Sequence, residues 1–238
     1  MKRRLTKKTT YRRFMAMPVH QITRLGMVNA YLVEEDDGLT LIDTTIPRSA
    51  GALRGAAARL GRPIVRIALT HAHGDHIGSL DALAESLPDV EVLISTRDAR
   101  LLEKDTTPDP GEPGDAKYRG SYPGASTKPT RAFEPGERVG SLEVVAAPGH
   151  TPGHVAFLDT RDRTLYCGDA FSTLGGVATS AKANPRFPLP ALATWHRPTE
   201  LASARALRAL DPARLAPGHG KVVEQPGAGM DQAIAKAR

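Results

Sequence analysis

Short apolar runs recur along the chain and alternate with stretches of helical periodicity. Residues 28–33 (VNAYLV) and 39–43 (LTLID) flank Glu-Asp-Asp-Gly, which reads as a hairpin. Pro47 near the start and Gly61 past the end bracket an Ala-, Leu- and Arg-rich segment and predict a helix over 48–60. Residues 64–70 (IVRIALT) read as a buried strand. Ile77, Leu80, Leu83, Ala84 and Leu87 then fall at helical spacing, and 90–95 form another strand. Three more strands are expected at 142–147, 155–159 and 164–167, an amphipathic helix at 199–210 and a last short strand at 214–216. Two stretches lack either period. Residues 105–136 are rich in Pro, Gly, Thr and Asp and contain Tyr118 and Tyr122; residues 172–198 hold four prolines and Trp195. Irregular stretches of this length in compact domains are often functional or disordered. Strand pairs interleaved with helices predict a layered α/β arrangement, and no internal repeat is visible.

Charge changes the picture only at one end. The 238 residues carry a formal net charge of +6, but the first thirteen, MKRRLTKKTTYRR, hold seven Lys or Arg and no acid. Without them 25 basic residues face 26 acidic ones. Residues 1–17 therefore read as a basic, disordered tail and 18–238 as a single domain. A nucleic-acid-binding arm is the alternative for the tail. Its paired Arg12-Arg13 is followed by no apolar stretch of the kind an export signal needs. No run is long enough to span a membrane. Cys167 is the only cysteine, which rules out an internal disulfide and a Cys-rich zinc site and fits a cytoplasmic protein.

The chemistry concentrates in histidines and carboxylates. HAHGDH puts His71, His73, Asp75 and His76 just after a strand and at the mouth of a helix. Residues two apart in an extended segment point the same way, so His71 and His73 converge on one point while Asp75 and His76 face another. Imidazole and carboxylate suit zinc, manganese or iron rather than calcium. Further donors follow later strands beside glycines: His150 and His154 in AAPGHTPGH, Asp169 in LYCGDA and His219 in APGHG. Strand-end loops are common places for a site, and glycine allows backbone to crowd an ion.

HAHGDH followed in order by PGH, GDA and PGHG, over about residues 18–222, resembles the metallo-β-lactamase superfamily. The resemblance implies an α+β fold, a four-layer αββα sandwich, with two divalent metal ions at one edge, zinc first and manganese or iron as alternatives. By motif position His71, His73 and His150 hold one ion, Asp75, His76 and His219 hold the other, and Asp169 bridges them. Asp43, ending LTLID, supports the histidine loop from behind, and His154 reads as a structural hydrogen-bonding group. The implied reaction is hydrolysis. Two cations ~3.5–4 Å apart share a water and draw its pKa toward ~7, and the resulting hydroxide attacks an ester, lactone or thioester carbonyl of a small molecule. Asp75 is the catalytic candidate, holding or accepting the nucleophile's proton. The sequence has no Gly-x-Ser-x-Gly, and Cys167 reads as a small core residue.

The branches of the family narrow the substrate without naming it. A bridging aspartate argues against the class B1 and B2 β-lactamases. Glyoxalase II-like thioesterases share the ligand set but add a C-terminal helical domain, and here few residues follow His219. Acyl-homoserine lactonases place a tyrosine shortly after the bridging aspartate; this chain has Asp-Ala-Phe-Ser there, leaving Tyr118 or Tyr122 as substitutes. No RNA-binding insertion is evident, so nucleic acid is not expected as a partner. Persulfide dioxygenases with one iron, and a non-catalytic metal-binding protein, are the competing readings. Pocket candidates are Tyr118, Tyr122, Phe171, Phe187, Trp195 and His196, and the oligomeric state, including a homodimer, is left open.

Overall fold

The computed structural model describes residues 17–238. The basic segment expected to be a tail lies outside the described residues apart from Met17, whose N–H donates to Asp162. The first sheet comprises β1 (His20–Arg24), β2 (Val28–Glu35), β3 (Gly38–Ile42), β4 (Ile64–Ala68), β5 (Glu91–Ser95) and β6 (Arg131–Phe133), side by side in that order. The second comprises β7 (Arg138–Val139), β8 (Leu142–Ala146), β9 (Val155–Asp159) and β10 (Thr164–Gly168). The chain then forms a two-stranded ribbon, β11 (Phe171–Ser172) and β12 (Ala178–Thr179), and returns to the second sheet with β13 (Arg214–Pro217) and β14 (Val223–Glu224). The helices are α1 (Ala50–Leu60), α2 (Gly74–Ile77), α3 (Leu80–Ser86), α4 (Thr96–Leu102), α5 (Leu189–Ala193), α6 (Arg197–Ala209) and α7 (Gly227–Lys236).

Period-two alternation sorts these elements into layers. In β2, Ala30 and Leu32 join a core with Leu53 of α1, Leu80 and Leu83 of α3 and Leu101 of α4. The intervening Tyr31 and Val33 face the other way and meet Val144, Phe157 and Tyr166 of the second sheet. On that sheet Ala156 and Leu158, one residue out of phase with Phe157, pack on Ala204 and Leu207 of α6 and Met230, Ala233 and Ile234 of α7. Three cores thus separate four layers, giving the αββα sandwich. The phasing explains why the central strands read as continuous apolar runs: both faces are buried.

The sheet directions gather the strand-end loops. β3, β4 and β5 are parallel, so the segments after Ile42, Ala68 and Ser95 leave one edge of the first sheet together. β8 and β10 are each antiparallel to β9, and β13 is parallel to β10. The loops after β8, β10 and β13 therefore leave one edge of the second sheet. Asn29 stitches the sheets at that edge, its side-chain amide donating to the carbonyls of Pro217 at 2.9 Å and Gly220 at 2.6 Å.

Several elements differ from expectation. The loop expected over 105–136 contains β6, which pairs with β5 and buries Phe133. The irregular stretch over 172–198 contains the end of β11, β12, α5 and the start of α6. β1 and α7 were not expected: HQITR is a polar edge strand, and Gly227 and Gly229 mask the apolar face of α7. His20 in β1 is half-buried and meets Glu34 at 2.9 Å.

Candidate metal centre

Five imidazoles and two carboxylates meet where the two sheet edges join. Ligand atoms of His71, His73 and His150 lie within 4.8 Å of one another, as do those of His71, His76 and Asp169, and those of Asp75, His76 and His219. Asp169 touches members of more than one group. Its Oδ1 is 3.3 Å from His76 Nε2, and its Oδ2 is 3.4 Å from His150 Nε2 and 3.1 Å from His219 Nε2.

The outer nitrogen of each imidazole faces an oxygen. Thr70 Oγ1 donates to Asp43 at 2.8 Å, so at 3.0 Å it accepts from His71 Nδ1. His73 Nε2 meets the Arg119 carbonyl at 3.1 Å, and His76 Nδ1 meets Asp43 at 2.8 Å. His150 Nδ1 faces Thr194 Oγ1 at 3.2 Å, a hydroxyl that itself donates to backbone carbonyls. His219 Nδ1 meets the Met27 carbonyl at 3.0 Å. Each outer nitrogen therefore carries a proton. The inner nitrogens of His71, His73 and His150 turn lone pairs to the middle, whereas those of His76 and His219 face carboxylate oxygens and hold protons that a metal ion would displace. His73 Nδ1 and His150 Nε2 face each other at 3.0 Å in this arrangement, two acceptors with a cation-shaped relationship. His71 Nε2, His76 Nε2 and Asp169 Oδ1 are buried without a hydrogen-bond partner. Buried polar atoms are normally paired, and this donor set fits divalent ions of the zinc or iron type.

Electrostatics split the cluster. Burial, reinforced by neighbouring imidazoles, holds His71 and His150 well below the usual histidine range, and burial takes His73 down to about 4. His76 and His219 go the other way: burial opposes their charge, but Asp169 and its fellow carboxylates outweigh it, raising His76 and bringing His219 to about 9. Asp75 stays ionised because His76 and His219 overcome the cost of its burial.

His154 donates from Nδ1 to the Ala147 carbonyl and accepts at Nε2 from the Asp169 N–H, both at 3.1 Å. No lone pair remains, so it serves the backbone of Asp169. Gly168 is in the left-handed region at φ +49°, and a Cβ there would stand 2.5 Å from His154 Nε2. The aspartate swings into the centre because its predecessor has no side chain.

The pocket candidates scatter. Phe187 stacks on His219 with ring centroids 5.2 Å apart, and Tyr122 lies 4.6 Å from the His73 ring. Tyr118 packs on Tyr122, and its hydroxyl oxygen accepts from Arg97. Trp195 is buried, its backbone N–H donating to the His150 carbonyl, and His196 caps α6 through Thr199. The expectation that Phe171 lines a pocket is corrected: it is 0% exposed, in the core between the second sheet and its helices. Sequence reasoning missed Asp98, buried behind the cluster, whose only signal is the S-x-x-D capping box of Ser95–Asp98 after β5. It also missed Thr194, which holds His150.

Comparison with known proteins identifies the family. The family model described as "Metallo-beta-lactamase superfamily" matches residues 23–219. "Uncharacterized protein YobT" of Bacillus subtilis (strain 168) is 46% identical over 89% of this chain and 91% of its own length. A hydroxyacylglutathione hydrolase of Gloeobacter violaceus is 31% identical over 64% of this chain and 52% of its own. Among solved structures, TTHA1623 in a di-iron-bound form superposes with a TM-score of 0.63 at 28% identity, covering 89% of this chain and 96% of that one. With the match spanning most of its length, this chain belongs to the metallo-β-lactamase superfamily.

Proposed function

We propose that the protein is a dinuclear metal-dependent hydrolase acting on the ester, lactone or thioester carbonyl of a small molecule with an apolar acyl portion. The observation that carries this is the arrangement of donors: five imidazoles turn their inner nitrogens, and two carboxylates their oxygens, to one space while the outer imidazole nitrogens are engaged. His71, His73 and His150 would hold one ion, Asp75, His76 and His219 the other, with Asp169 between them. Two divalent ions supply acidification of water and polarisation of a carbonyl. Zinc suits the donor set, and the di-iron neighbour makes iron the alternative.

The remaining work belongs to the chain. Asp75 is the most exposed of the seven groups, its side chain 39% accessible, so the substrate enters from its side. Ionised at neutral pH and 3.4 Å from His219 Nε2, Asp75 would hold or accept the nucleophile's proton. Cys167 is buried and its thiol is pushed up by burial, which removes it as a nucleophile. The acyl preference rests on the exposed large apolar side chains among the described residues, Leu25, Leu189 and Leu192. Each stands two residues from a contact of a cluster histidine: Met27 and Phe187 on His219, and Thr194 on His150. Exposed apolar side chains so near in sequence to contacts of the cluster are the candidates for a binding surface. The hydroxyacylglutathione hydrolase relatives support a thioester among the candidate substrates.

Metal content on protein purified without added metal tests the reading, followed by an ester, lactone and thioester screen. Two equivalents of zinc, manganese or iron with turnover are expected. Asp169→Ala should abolish turnover and lower metal content while leaving the circular dichroism spectrum unchanged; full activity in that variant would falsify the dinuclear site. One equivalent of iron, with oxygen uptake on a persulfide, would replace hydrolysis by dioxygenation.

A further inference from the structure

Asp98 sits in the first turn of α4 and is 0% exposed. Its Oδ2 accepts from the Ala72 N–H at 3.0 Å and from Thr151 Oγ1 at 2.7 Å, and its Oδ1 accepts from the Gly153 N–H at 2.8 Å. Ala72 lies between His71 and His73. Thr151 and Gly153 follow His150 at once. One carboxylate thus joins the two loops that carry His71, His73 and His150. Ser95 adds to the joint, its Oγ accepting from the Asp98 N–H at 3.1 Å and donating to the Gly153 carbonyl at 2.6 Å. The approach is close enough that a Cβ on Gly153 would stand 2.5 Å from Asp98 N and 2.6 Å from Oδ1.

The other half of the centre is anchored elsewhere. His76 is held by Asp43 and His219 by the Met27 carbonyl. No hydrogen bond of Asp98 reaches the residues 75, 76 or 219. Arg97 next to it turns away to Glu112 and Tyr118. The carboxylate is therefore balanced by two peptide N–H groups and a hydroxyl, all belonging to the loops of one ion.

We propose that Asp98 is a positioning residue dedicated to one of the two metal sites, clamping the His71–His73 loop to the His150 loop and leaving the Asp75–His76–His219 site untouched. The proposal rests on the metal-centre reading above. It depends on both oxygens being acceptors. An asparagine keeps the shape but offers one oxygen and one NH2, so in either orientation of its amide an N–H donor faces a loop donor and one loop is released. Outer carboxylates that orient ligands typically change metal affinity by about 10–100-fold when removed.

The test reads zinc affinity by competition with a chromophoric chelator, in two backgrounds that each keep one site. Full-length His219→Ala retains His71, His73 and His150; full-length His73→Ala retains Asp75, His76 and His219. Asp98→Asn should weaken zinc binding about 10–100-fold in the first background and by less than about threefold in the second. Thr151→Val removes one donor to Oδ2 with little change in size and serves if Asp98→Asn does not fold. It should give a loss of about fivefold, again in the first background alone. Equal losses in both backgrounds would make Asp98 a general structural residue and overturn the proposal, as would no loss in either. The unsubstituted protein separates the two levels: if it fails to bind two zinc ions, the metal-centre reading falls and the dedicated role falls with it. Two ions in the parent with no site-selective loss overturns the role of Asp98 alone.

Discussion

Each residue of the centre is constrained on its outer side as tightly as on its inner one. Gly218 shows how little room is left. A Cβ at this position would stand 2.3 Å from Asp169 Oδ1 and 2.6 Å from His76 Cε1. Its backbone is outside the left-handed region, so alanine meets no conformational obstacle there. The added methyl group presses hardest on the two ligands, with the Gly168 carbonyl next at 3.3 Å. Gly218→Ala is expected to lower kcat/KM by about 100-fold, the scale of a displacement of about 1 Å in a catalytic group, and to reduce metal content below two equivalents. The melting temperature of the chelator-treated variant should stay near that of the parent, because the clash lies in the cluster and not in the core. A normal metal content with normal turnover would show that Asp169 has more freedom than the packing implies.

At the scale of elements, the legible and illegible parts of the site divide by chemistry. The strands carrying His71, Asp169 and His219 are legible because both faces are buried and their apolar runs end abruptly in Gly and His. The supports are illegible because they are backbone carbonyls, as at Arg119 and Met27, or single polar side chains such as Asp98 and Thr194 in short helices and loops. Their partners are distant in the chain, 26 residues away for Asp98 and Ala72, and no local period encodes them. The same limit applies to the pocket. Phe171 looks accessible as a residue after a strand, but β11 pairs with β12 and turns it into the outer core. The leucines are the reverse case. Leu25 stands in the β1–β2 turn, and Leu189 and Leu192 share one exposed face of α5, three residues apart. If these elements receive an acyl chain, Leu25→Ser and Leu192→Ser should lower kcat/KM for an octanoyl ester by about tenfold each while changing the acetyl ester less than about twofold, since a few buried methylenes are worth about 1–3 kcal/mol. Equal effects on both esters would remove the leucines from substrate binding.

At the scale of the whole molecule, the centre couples stability to pH in opposite directions on its two halves. His219 reaches about 9 because Asp169 overcomes the effect of burial, and His76 is raised for the same reason. In chelator-treated protein the folded state therefore holds protons that the unfolded chain, with histidines near ~6.5, gives up. The stability from these groups is fully present below ~6.5 and is lost as pH rises toward about 9. His71 and His150 are depressed by burial, as are His73, to about 4, and His154, to about 3. They stay neutral inside while the unfolded chain takes up protons, so stability falls as pH drops from ~6.5 toward 4. The metal-free protein should be most stable near pH ~6.5. Metal changes the high-pH arm. Ligation requires neutral imidazoles, so binding expels the protons of His76 and His219 and grows stronger as pH rises. The gain in melting temperature on adding zinc should accordingly be larger at pH ~8.5 than at ~6.5, and smallest at ~5, where the other histidines also compete for protons. Calorimetric scans of chelator-treated and zinc-loaded protein at these three values measure it directly. A zinc-induced gain independent of pH would mean that the imidazoles are not the groups the metal displaces protons from.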